Sequence, residues 1–138
     1  MKLTPEQYIK RKILQDVQRY SDDECSLKCV TIPDSPAEVD KLYDELQEGE
    51  FCGDLQDTRE DFRTSGEETN VKSDNWSRHY ESEEVAAKMD DGTWVGWTHW
   101  HGGGKHGEPS AIDWMEDAYF LNCQEQEVLT IQRTWAKV

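Results

Sequence analysis

At 138 residues the chain falls within the range of one domain and is long enough to bury a core of its own. Thirty acidic against fifteen basic side chains leave a net charge of −15, which repels bare nucleic acid and anionic membranes and attracts basic partners. The apolar residues come in short patterned segments, none near the roughly 20 residues of a membrane span, and no hydrophobic run follows Met1 to act as a leader.

These features lead to the expectation of a soluble, cytoplasmic protein forming a single domain over residues 1–138. In that setting Cys25, Cys29, Cys52 and Cys123 read as reduced thiols rather than a disulfide framework.

The chain opens on a helix signal. Thr4 can cap free backbone N–H groups, Pro5 suits the first helical position, and Gln7 completes a capping box. Ile9, Ile13, Val17 and Tyr20 then form one apolar stripe, with Lys10, Arg11, Lys12 and Arg19 on the wet side. Residues 26–32, with Leu27, Cys29, Val30 and Ile32, fit a short strand that Pro33 ends. A second helix signal follows at Ser35, Pro36 and Glu38, with Val39, Leu42, Tyr43 and Leu46 as its buried face and Gly49 as its end.

Residues 50–75 show no period. Gly53, Gly66 and Asn70 interrupt them, and only Phe51, Leu55, Phe62 and Val71 offer anchors, so the expectation is a long polar loop or insertion. Beyond Trp76 the chain turns β-rich. Asp91-Gly92 reads as the turn of a hairpin between a segment ending at Met89 and one running from Thr93 to His101. Residues 82–88 suit a helix as well as a strand, because Glu, Ala and Lys are good helix formers. Residues 110–117 read as a helical turn, and residues 119–123 and 128–136 as a closing strand pair. The fold class expected is α+β: two N-terminal amphipathic helices packed on a mainly antiparallel sheet formed largely by residues 76–138.

One segment is chemically dense. Residues 94–107 hold three tryptophans, Trp94, Trp97 and Trp100, and three histidines, His99, His101 and His106, ahead of a glycine run containing Lys105. On a strand Val95, Trp97, His99 and His101 share one face, and Trp94, Thr98 and Trp100 the other. The plainest reading makes the tryptophans core and the histidines local hydrogen-bond partners. A second makes His99, His101 and His106, with His79 or Glu108, ligands for a divalent metal such as zinc. A third sets Lys105 and the glycine amides against a phosphate or nucleotide, with Trp97 and Trp100 beside it. In the fourth, one of these histidines is a general base oriented by Glu108 or Asp113, without any nucleophile motif to complete it.

The charge is uneven. Residues 21–90 hold seven basic and twenty-one acidic groups, whereas residues 1–20 sum to +3. Asp40, Asp44, Glu45, Glu48, Glu50, Asp54, Asp57, Glu60 and Asp61 concentrate this field. The functional expectation is therefore a non-enzymatic interaction or inhibitor protein that sets these carboxylates against a basic partner, such as a nucleic-acid-binding enzyme, without itself binding nucleic acid. Its sharp form is a nucleic-acid mimic, since duplex DNA carries one negative charge per about 1.7 Å of axis. In size and charge alone the chain resembles small phage anti-defence and immunity-type proteins. The alternative is a small-molecule, nucleotide or metal-binding domain, or a catalytic one, centred on residues 94–108.

Overall fold

In the computed structural model, residues 3–20, 30–49, 52–73, 77–103, 109 and 112–138 are described, with the backbone alone for 52–54. Three helices, α1 (Pro5–Tyr20), α2 (Pro36–Glu48) and α3 (Cys52–Thr64), pack against a four-stranded antiparallel sheet. Its strands are β1 (Glu67–Glu68), β2 (Glu81–Lys88), β3 (Trp94–His101) and β4 (Tyr119–Leu121), in the spatial order β1-β2-β3-β4. This is the expected α+β arrangement with a third helix added. No helix among the described residues is long and apolar enough to cross a membrane.

α1 starts on the capping box its sequence announces: the Thr4 amide donates to Gln7 Oε1 (2.9 Å) and the Gln7 amide to Thr4 Oγ1 (3.3 Å). Its stripe of Ile9, Ile13, Leu14 and Val17 is fully buried, which makes α1 the spine of the helical layer. Tyr20, expected on that stripe, is exposed. In α2 Ser35 occupies the N-cap position and Pro36 the first turn, but the serine hydroxyl makes no capping bond. Gly49 ends the helix in an extended conformation, its N–H donating to the Leu46 carbonyl (3.2 Å).

The long polar loop expected over residues 50–75 is replaced by α3 and β1. Two apolar side chains hold α3. Leu55 is fully buried, and the Phe62 ring stacks on Trp97 at 4.9 Å between centroids and on Trp114 at 6.2 Å. Residues so far apart in sequence leave no periodic signal, which is why the helix was illegible locally.

Residues 82–88 form strand, not helix: all of β2 pairs with β3, from Glu81 opposite His101 to Lys88 opposite Trp94. The connecting loop puts Asp90, Asp91 and Gly92 between Met89 and Thr93. The Met89 amide donates to the Thr93 carbonyl (2.7 Å), the Gly92 amide to the Met89 carbonyl (3.0 Å), and Gly92 takes φ +89°, where only glycine is unstrained. The Tyr8 hydroxyl reaches Asp91 Oδ2 (2.7 Å) and ties α1 to this loop.

Around the helical turn expected over residues 110–117, the Ile112 amide donates to the Pro109 carbonyl (3.2 Å) and the Ala118 amide to the Met115 carbonyl (3.2 Å), each closing a tight turn, while residues 110 and 111 lie outside the described residues. One further expectation is corrected. Residues 128–136 form no strand. Residues 122–138 are exposed throughout, Leu129, Ile131 and Trp135 included. The strand expected at 26–32 lies mostly outside the described residues, and its end, Val30 to Ile32, is not strand.

Candidate functional site

β3 distributes the dense segment over three environments. Val95 and Trp97 point into the helical layer and are completely buried. The Trp97 indole N–H donates to the Arg63 carbonyl (3.2 Å), one of the free carbonyls at the end of α3. Trp97 is thus a core residue whose polar atom is already used, not the wall of a ligand pocket.

His99 and His101 follow on the same face, past the edge of the helical layer. Their rings lie 5.4 Å apart, but each turns to the carboxylate across the ladder: His99 Nδ1 to Glu83 Oε1 (3.1 Å) and His101 Nδ1 to Glu81 Oε2 (3.6 Å). Among the described residues no group of three or more His, Cys, Asp or Glu side chains is placed to hold a metal ion. His79 is exposed, and Lys105, His106 and Glu108 lie outside the described residues. Trp100 belongs to the opposite face of the sheet, so the aromatic and imidazole groups of the expected pocket do not converge on one point.

Sequence reasoning missed two other arrangements. The first is centred on Arg63, buried at 6 % exposure. Its guanidinium donates to the Trp100 carbonyl (2.7 Å) and grips Glu60 through Nε (2.9 Å) and Nη2 (2.5 Å). The hydrogen bond from Arg63 holds the Glu60 carboxyl below the usual carboxylate range, against the opposing effect of its partial burial. A glutamate three residues before an arginine on a helix was the only sequence hint of this.

The second lies on the face of the sheet turned away from the helices. Glu84 is buried there, and its Oε1 accepts from Thr98 Oγ1 (3.1 Å) and from the Tyr119 hydroxyl (3.1 Å). Tyr119 reaches it by lying across Gly96, where a Cβ would stand 2.7 Å from the ring. Burial first, then the charge of Glu84 and the bond to it, raise the Tyr119 phenol well above its ordinary value. Glu84 Oε2 is buried without a hydrogen-bond partner among the described residues. Glu84 and Tyr119 are 35 residues apart, and nothing local marks either.

The carboxylates expected to meet a partner divide into two sets. Asp40 is spent internally, on Gln7 Nε2 (2.9 Å) and Lys10 Nζ (3.2 Å), as Glu60 is on Arg63. Asp44, Glu45 and Glu48 on α2 and Asp57 and Asp61 on α3 are exposed, and none has an ion pair or side-chain hydrogen bond among the described residues. The Asp54 side chain and Glu50 lie outside the described residues. Glu38, which the sequence reading used only as a helix-start residue, joins the exposed row on α2.

No family model, curated protein or solved structure matches this chain.

Proposed function

We propose that this chain is a non-enzymatic acidic interaction protein that engages a basic partner surface through the outer sides of α2 and α3. One observation carries the reading. Of the described carboxylates in this part of the chain, the exposed ones, Asp44, Glu45, Glu48, Asp57 and Asp61, have no cation of their own among the described residues, whereas the half-buried Asp40 and Glu60 do. Unpaired surface charge of one sign attracts an oppositely charged protein from beyond contact distance and raises its association rate.

Charge density favours a protein-docking surface over a faithful duplex mimic. From Glu38 to Glu48 the axis of α2 advances about 15 Å and presents four carboxylates, interrupted by Lys41. Duplex DNA would present about nine charges in that length. The row is about half as dense before α3 is added, which suits a basic patch better than a groove shaped to a duplex.

The test is capture from lysate on the immobilised chain with elution by a salt gradient, run beside a variant carrying Glu45→Lys, Glu48→Lys, Asp57→Lys and Asp61→Lys. The expected result is a basic protein that leaves at moderate salt, where contacts between exposed charges are screened, and that the variant does not retain. Competition by duplex DNA would add the mimic form. Equal recovery on the variant, or recovery indifferent to salt, would remove α2 and α3 as the docking surface.

A further inference from the structure

Residues 128–138 stand apart from the rest of the chain in chemistry and in position. They carry Arg133 and Lys137 and no acidic side chain, in a chain of net charge −15. Leu129, Ile131, Arg133, Trp135 and Lys137 fall on alternate positions, so on a strand three apolar and two basic side chains share one face, with Thr130, Gln132 and Thr134 on the other. Yet Leu129 is 101 % exposed, Ile131 83 % and Trp135 85 %. Apolar side chains in this arrangement mark a binding segment.

The sheet offers a surface of matching chemistry. Its strand order ends at β4, only three residues long, while Trp94 and Leu121 sit half-buried on the face away from the helices. Beside them runs a groove of about 210 Å³ floored by Ala86 and rimmed by the exposed carboxylates of Glu67 and Glu68.

We propose that residues 128–138 of one copy dock across this face of a second copy, along the groove that runs from Leu121 on β4 to Glu67 and Glu68 on β1, with a reciprocal contact in return. Leu129, Ile131 and Trp135 then cover Trp94 and Leu121, and Arg133 and Lys137 meet Glu67 and Glu68. Eleven residues at about 3.3 Å each make a strand about 36 Å long. If each docked arm covers on the order of 600 Å², counting both surfaces, two reach about 1,200 Å², the lower bound for stable association. Reciprocity makes the contact self-complementary, as a two-fold dimer requires.

Sedimentation equilibrium of the full chain is the test, with circular dichroism to verify that each variant is folded. The wild type is expected to sediment as a dimer, and Leu129→Asp with Ile131→Asp as a monomer. These substitutions lie outside the core, so they leave the fold intact. Glu67→Lys with Glu68→Lys, and separately Arg133→Glu with Lys137→Glu, should each weaken the dimer about threefold or more, and the four changes together should restore it. A wild type that is monomeric at every concentration overturns the proposal, as does a dimer that survives the Asp substitutions. Loss of the dimer with those substitutions but no response to reversing Glu67 and Glu68 overturns the docking surface named here.

Discussion

Arg63 joins two elements through one guanidinium: it closes the last turn of α3 on Glu60 and donates to the Trp100 carbonyl of β3. Its own carbonyl meanwhile accepts the Trp97 indole, so helix and strand are stitched in both directions. Arg63→Ala should cost about 2 kcal/mol in urea denaturation, because it leaves polar groups at a packed contact without partners. Arg63→Lys should recover only part of that, since an ammonium lacks the planar fork that serves several acceptors at once. A loss below about 0.5 kcal/mol for the alanine variant, the usual range for an unengaged surface residue, would mean that the guanidinium contributes nothing net. The same contact predicts a pH dependence. Glu60 titrates lower folded than unfolded, so its contribution is complete above the unfolded carboxylate value of about 4.3 and disappears as pH falls through the folded one. The stability difference between wild type and Glu60→Gln should therefore shrink between about pH 5 and pH 3. The carboxylate is half exposed, so the change will be small, and a difference flat across that interval would count against the bond.

Between elements, one close fit lies where β4 pairs with β3. Gly96 lacks the Cβ that would stand 2.7 Å from the Tyr119 ring and 2.8 Å from Leu121, and that space lets Tyr119 reach past β3 to Glu84 on β2. Gly96→Ala should displace the ring, break the bond to Glu84 and lower stability by about 1–3 kcal/mol. Tyr119→Phe in the Gly96→Ala background should then add little, which a double-mutant cycle would detect. Full additivity would show that Gly96 and Tyr119 act independently. Contacts of this kind also mark the limit of what the sequence discloses. α1 was readable because Thr4, Gln7 and the stripe from Ile9 to Val17 encode it within a few turns, and the hairpin because Gly92 punctuates two patterned arms. α3 was not, since Leu55 and Phe62 are spaced two turns apart and the stacking partners Trp97 and Trp114 come from elsewhere in the chain. β2 suits a helix as well as a strand by propensity, and the ladder to β3 decides for the strand. Residues 128–136 show the reverse case, a strand pattern for which the described fold supplies no partner. Of the candidate groups, the exposed acids on α2 and α3 were legible as charge, but which acids were already neutralised was not. Lys10 neutralises Asp40 across 30 residues, a distance only the fold can close.

For the molecule as a whole, a charge of −15 on 138 residues sets two electrostatic effects against each other. Self-repulsion among the unpaired acids opposes the compact state, while Lys10 with Glu6 and Asp40, Lys12 with Asp16, and Arg63 with Glu60 favour it. Salt separates them by range. The Debye length falls from about 30 Å at 0.01 M to below 10 Å above 0.1 M, so repulsion between distant acids is screened first, and contacts at 2.5–3.6 Å persist. Melting temperature should consequently rise with sodium chloride from 0.01 to about 0.2 M, by several degrees if about 1 kcal/mol of repulsion is relieved. A fall would mean that the ion pairs outweigh the repulsion, and that the acidic surface is less unbalanced than its composition implies. The measurement belongs in the Leu129→Asp, Ile131→Asp background. There the docking of residues 128–138 is removed, and the salt response reports the field of a single copy, two charges more negative than the wild type, which includes the acids of α2 and α3.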